Sequence, residues 1–112
     1  MTDLFREQYI DLATREERIR LFGEECLSTI PERCLADGLT LEIGCGHGHW
    51  LTAYSESKPE DSCIGIDLIT KRIDKANRKK EKRTLPYLFF FKTEAKEFLE
   101  NLPDSLMLKR TI

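Results

Sequence analysis

Apolar and polar positions change period several times along the chain, and each change predicts an element. Leu4, Phe5, Tyr9, Leu12 and Ala13 recur at three-to-four spacing, and Ile19, Phe22, Cys26, Leu27 and Ile30 continue it. One or two amphipathic helices are therefore predicted over residues 3 to about 30. Thr14 followed by Glu17 has the form of a capping box that restarts the helix. Pro31 and the Asp37-Gly38 pair close the segment, which is either a lid or docking element or plain packing. The short apolar run Leu39–Ile43 then breaks into glycines at 44, 46 and 48, after which Trp50, Leu51, Ala53 and Tyr54 resume at helical spacing. That order predicts a strand, a tight turn and a helix from about 47 to 54. The polar stretch 55–62 is a loop, 63–67 a second strand, and 70–82 a second helix seated through Ile69, Ile73 and Ala76. Leu85-Pro86 opens a third strand over 87–91, whose bulky residues do not alternate and so predict burial on both faces, as in a parallel sheet. Thr93 is a natural N-cap for a helix through about Leu102, Pro103-Asp104 is a turn, and Leu106-Met107-Leu108 starts a fourth apolar strand.

Strands alternating with helices predict an α/β fold with an open parallel sheet. A single structural unit follows, with an N-terminal helical segment over 1–38 and a partial Rossmann-like domain over 39–112 that handles a nucleotide at its glycine turn. Glycines at 44, 46 and 48 admit positive φ and let a ligand lie against the backbone. The helix after them offers unpaired N–H groups and the positive end of its dipole. The dinucleotide fingerprint needs a third small residue where His49 stands, so it does not fit. Glu42, two residues before the first glycine, would repel a pyrophosphate but suits a ligand with an ammonium group and no phosphate. S-adenosylmethionine is such a ligand.

Two further acids stand at strand ends. Asp67 follows Glu42 by 25 residues, the length of one strand–helix–strand unit, and an acid there pairs with ribose hydroxyls; its simpler role is to cap the next helix. Glu94 follows Asp67 by 27 residues, near where an adenine amino group needs an acceptor, or as a first-turn acid on the next helix.

The 112 residues, 40% hydrophobic and 34% charged, make one small domain with a feasible but modest core. Net charge is only −2, yet it is unevenly spread. Residues 1–70 hold 6 basic and 14 acidic side chains, a balance of −8, whereas 71–83 hold 8 basic and 2 acidic, a balance of +6. The second helix is thus either a solvated surface or a phosphate-contacting face. Cys26, Cys34, Cys45 and Cys63 form no C-x-x-C pair, so free thiols in a reducing cytoplasm are expected rather than a zinc site or disulfide framework. His47 and His49 on a glycine turn lack further ligands and make a poor metal site; His47 is a candidate cofactor neighbour. No signal peptide is visible, and the longest apolar run, 87–91, is too short to span a bilayer, so a cytoplasmic protein is expected.

The motifs Leu-Glu-Ile-Gly-Cys-Gly-His-Gly-His-Trp-Leu, Ile-Gly-Ile-Asp with a basic helix, Thr-Glu-Ala and Leu-Pro-Asp-Ser resemble those of bacterial tRNA (guanine-N7)-methyltransferases, members of the class I S-adenosylmethionine-dependent methyltransferases. The resemblance runs from about Leu39 to Leu108. It implies a cofactor site at Glu42, Gly44, Gly46, His47, Gly48, Asp67, Leu68, Glu94 and Ala95, with tRNA as partner of the full-length enzyme and no membrane or metal. The family usually has Glu and Asp where Asp67 and Glu94 stand, swaps that keep the charge. Its Phe-Pro-Asp-Pro-Trp-Pro-Lys segment, which follows the fourth strand and serves the acceptor, is not found before Ile112. No catalytic residue is therefore assigned, and the expectation is the cofactor half of such an enzyme, inactive alone. An exposed sheet edge predicts a homodimer. The alternatives are a non-catalytic S-adenosylmethionine-binding module, or a methyltransferase for a small molecule or a protein.

Overall fold

The structure is a computed structural model, and it describes residues 16–17, 20–21, 23–24, 28–32, 37–102 and 107–112. The apolar positions 4–13, 19, 22, 26 and 27, the capping box at Thr14, Cys34, and the 103–106 turn lie outside the described residues. Four strands, β1 (Leu39–Ile43), β2 (Ser62–Asp67), β3 (Leu88–Lys92) and β4 (Leu108–Thr111), form one sheet in the order β3-β2-β1-β4. Every pairing is parallel. Between them run α1 (His49–Ser57), α2 (Thr70–Arg83) and α3 (Ala95–Glu100). The strands progress outward from β1 to β3, and then β4 returns to the far side of β1. Strand order therefore reverses at β1, where open α/β sheets bind ligands at their carboxyl ends.

Both faces of the sheet are covered, which is why the strand residues need not alternate in polarity. On one face Leu39, Leu41, Ile64, Ile66, Phe89 and Phe91 pack with Phe98 of α3 and with Ile30. On the other, Cys63, Leu88 and Phe90 pack with Cys45, Leu51, Ile73, Ala76 and Leu85. Phe98 is the buried anchor of the six-residue α3, with Ala95 packed beside it on the same core. Ile30 ties the N-terminal segment to the sheet.

Phe90 sets how closely the helices approach. A Cβ on Gly48 would lie 2.7 Å from its ring and 3.0 Å from Ala76 Cβ; one on Gly65 would lie 2.8 Å from the ring and 3.0 Å from Cys45 Cβ. Gly48, with φ 75°, is also the N-cap of α1, and the Thr52 N–H donates to its carbonyl at 2.9 Å. The small residue that brings helix against strand is thus Gly48, which lets His49 begin the helix and point outward.

Several element limits differ from the sequence expectation. α1 begins two residues later than predicted, because residues 44–48 are all consumed by the turn, and it continues to Ser57. The N-cap of α3 is Glu94 rather than Thr93, and the helix stops at Glu100. The Thr93 N–H donates to Asp67 O at 3.1 Å, which keeps Thr93 on the path of β3. β4 is Leu-Lys-Arg-Thr, half-buried only at Leu108 and otherwise exposed, so it is a polar edge strand rather than an apolar one. Glu32 and Asp37 are helical, so Pro31 does not close the segment, and Gly38 follows at φ 83°.

The packing at Phe90 separates the glycines experimentally. Gly48→Ala meets both a left-handed backbone and a full contact shell, and should cost about 2–4 kcal/mol. Gly46→Ala, with φ 59° and open space where its Cβ would lie, should cost about 1–2 kcal/mol. Thermal unfolding followed by circular dichroism measures both; equal losses would show that Phe90 does not constrain Gly48.

Candidate functional site

The turn after β1 is held by backbone amides before any side chain contributes. Gly44 and Cys45 N–H both donate to Ile66 O at 2.9 Å, and Gly48 N–H donates to Cys45 O at 3.0 Å. Gly44, Gly46 and Gly48 have φ of 73°, 59° and 75°. These are left-handed values that disfavour a Cβ. Around Gly44 and Gly46 nothing lies within 4 Å of an added Cβ, so these two border open space. Gly48 does not, for it is sealed beneath Phe90.

Asp67, at the end of β2, closes the arrangement. Its Oδ2 accepts the Gly46 N–H at 3.0 Å and its Oδ1 accepts the Ile69 N–H at 2.9 Å, with the Arg72 guanidinium 3.8 Å from Oδ2. The carboxylate thus pins the turn to β2 and shapes the entry to α2 through an Asx-type turn. It is not the cap of α2: the N-cap is Ile69, which makes no side-chain cap bond. Each Asp67 oxygen keeps one further acceptor site.

Glu42 is different. Its Oε1 is buried and has no hydrogen-bond partner, and burial pushes its carboxyl above the usual carboxylate range. A buried acceptor without a donor is costly. Next to it, burial first, then the charges of Asp67 and Glu42, push the Cys45 thiol up to about 12, which removes it as a nucleophile.

The remaining candidates divide. His47 is drawn toward α2, where Lys79 Nζ donates to its carbonyl at 3.2 Å. The same ammonium lies 2.7 Å from His49 Nδ1. Burial, and then Lys75, His49, Arg72 and Lys79, hold the His47 ring below its ordinary pKa. Leu68 is 62% exposed beside Asp67. Glu94 is exposed at the start of α3, one residue from the Thr93 amide that bonds Asp67 O. Ala95 is half-buried and packs against the core. The structure therefore brings Glu42, Gly44, Gly46, Asp67 and the Thr93–Glu94 turn to one rim, with His47 at its α2 side. Sequence reasoning missed the parts played by Gly65, Phe90 and Lys79. An isolated glycine inside a strand signals close approach, and Gly65 carried that signal; nothing local marked Lys79 among its neighbours.

Glu42 yields a pH prediction. Its carboxyl is raised on folding, so the folded state gains while the group is protonated and loses as pH rises through the folded value. Glu42→Gln should therefore stabilise the ligand-free chain at pH 7 by up to about 1 kcal/mol. The gain should vanish as pH falls below the unfolded carboxyl range. Unfolding midpoints between pH 4 and 7 (about the range where a glutamate titrates) would show it, and a pH-independent difference would refute it.

Residues 36–110 match the model of a family described as "Putative methyltransferase". A tRNA (guanine-N(7)-)-methyltransferase of Geobacter metallireducens is 35% identical over 69 residues, covering 61% of this chain and 33% of that protein. A protein of the same name from Synechococcus elongatus is 34% identical over 68 residues, covering 61% and 32%. The chain spans about a third of the length of these curated relatives. The bifunctional kinase-methyltransferase WbdD superposes with a TM-score of 0.52 at 18% identity over 77% of this chain and 18% of that one, a likeness of fold. Among the described residues no helix is long and apolar enough to cross a membrane. With its parallel sheet, its glycine turn and a family match over most of its length, the chain belongs to that methyltransferase family.

Proposed function

We propose that residues 39–112 hold S-adenosylmethionine and are the cofactor half of a cytoplasmic tRNA (guanine-N7)-methyltransferase, with 1–38 as an N-terminal helical segment. The observation that carries this reading is the buried, unpartnered Glu42 Oε1 on the strand that leads into the turn where Gly44 and Gly46 border open space. An ammonium group placed there satisfies the buried oxygen and neutralises its charge at once. A phosphate does neither. The names of the relatives, tRNA (guanine-N(7)-)-methyltransferase, support the acceptor class.

S-adenosylmethionine supplies a methyl group activated by its sulfonium. Guanine N7 has a free lone pair and needs no deprotonation to attack it, so the protein's task is positioning and charge environment. Glu42 takes the amino group. Asp67 uses the acceptor sites left by Gly46 and Ile69 for the ribose hydroxyls, and Gly44 and Gly46 let the ligand lie on the backbone. Gly48 acts indirectly, by fixing where α1 starts. Glu94 accepts from the adenine amino group, exposed Leu68 offers an apolar surface to the base, and Ala95 contributes backbone. His47 borders the site through its ring. Among the described residues β4 is an edge paired only with β1, and it offers a strand for self-association into a homodimer.

Thermal unfolding with S-adenosylhomocysteine, the demethylated product, tests the site. At about 100 times its dissociation constant a ligand adds roughly 2.7 kcal/mol, a rise of order 10 °C for a domain this size. Glu42→Gln should keep the fold and lose most of that rise, and Asp67→Ala should lose it together with basal stability. A full shift in Glu42→Gln would remove Glu42 from the site, and no shift in the native chain would overturn the reading.

A further inference from the structure

α2 carries its charges in an ordered way. Ile73 and Ala76 are buried against the sheet, and Lys80 turns inward to lie 4.4 Å over the Phe89 ring. At about 100° per residue, Lys71, Arg72, Lys75, Arg78, Lys79, Lys82 and Arg83 all fall within an arc of about 140°. Asp74 and Glu81 lie together outside that arc. The result is a continuous basic ridge about 18 Å long, and six of its seven side chains are exposed, Lys79 being half-buried.

One border of the ridge lies on the candidate site. Lys79 contacts His47 and His49, Arg72 approaches Asp67, and Arg83 pairs with Glu56 of α1 at 2.8 Å. Along the rest, among the described residues no carboxylate pairs with Lys71, Lys75, Arg78 or Lys82. The helix also stacks like charges at four-residue spacing: 71 with 75, 75 with 79, 78 with 82 and 79 with 83. Each such pair destabilises a helix. An ordinary solvated helix relieves this with interleaved acids; here the only two acids stand off the ridge, while the remainder of a chain of net charge −2 is acidic.

We propose that this ridge binds the phosphodiester backbone of RNA and holds the strand beside the mouth of the cofactor site. The proposal rests on the reading of the chain as part of an RNA methyltransferase. Regular phosphates supply the counter-charge that the ridge lacks, over a matching length. An anionic membrane fits less well, because the apolar side of α2 is spent on the sheet and no apolar side chain points outward with the lysines.

Fluorescence anisotropy with labelled, unmodified tRNA, read over about 50 to 200 mM salt, tests this. The combined variant Lys71→Gln, Lys75→Gln, Arg78→Gln and Lys82→Gln should bind at least about tenfold more weakly. Its plot of log affinity against log salt should be shallower by about 3. A control, Lys58→Gln with Lys96→Gln, should match the native chain. Because the four substitutions relieve repulsion, the unfolding midpoint should not fall, so lost binding is not lost folding. Equal affinity and slope in ridge and control variants would overturn the proposal, as would no tRNA binding by the native chain. Equal competition by duplex DNA of the same charge, or stronger binding to phosphatidylglycerol vesicles than to tRNA, would overturn the RNA assignment. The S-adenosylhomocysteine shift separates the two readings. A shift in both native chain and ridge variant with ridge-independent RNA binding refutes only the ridge; ridge-dependent RNA binding without any shift refutes only the cofactor site.

Discussion

The Asp67 carboxylate joins two backbone amides that belong to different connections, Gly46 in the turn after β1 and Ile69 before α2. Its own carbonyl accepts from Thr93, at the exit of β3. One residue at the end of the central β2 strand thus locks three strand ends into a single rim. Loop amides that cannot reach a helix or a ladder need some acceptor, and a carboxylate is the strongest available. The left-handed glycines are what allow the Gly46 amide to turn toward it. Remove the carboxylate, and the turn loses its fixed relation to the sheet.

Glu42 occupies the opposite situation on the same rim. Asp67 is buried and satisfied; Glu42 has a buried oxygen with no donor at all. A structure held by only a modest margin of stability keeps such a group at a cost. A ligand that brings a positive donor converts that cost into binding free energy, without any rearrangement of the sheet. Under the proposed reading, stability and cofactor binding pull in opposite directions at this one residue. The buried, proton-retaining Cys45 thiol nearby follows from the same low-polarity surroundings and the same two acids.

Charge on the larger scale is organised by the helix α2. Its apolar edge is narrow, Ile73 and Ala76 being its buried residues, and it is seated on β2 and β3. That attachment orients the whole basic arc. Within the arc, Arg72 approaches Asp67 at the end of β2, Lys79 and Arg83 meet the turn and α1, and the other cations are turned to solvent.

The alternation of apolar runs with amphipathic stretches determined the α/β class, the parallel sheet and most helices, because the period of burial is a local property of sequence. Spacing of Glu42, Asp67 and Glu94 placed three acids at strand ends for the same reason: one repeat unit has a nearly fixed length. Tertiary structure decided what those acids do. Whether a carboxylate is satisfied depends on which amides reach it, and Gly46 reaches Asp67 from 21 residues away. It also decided that Gly48 is a packing glycine while Gly46 faces open space, since only the position of Phe90 tells them apart. The fourth strand was legible from its apolar start, but its extent was not: past Leu108, β4 pairs through its backbone, and its polar residues carry no hydrophobic signature to read.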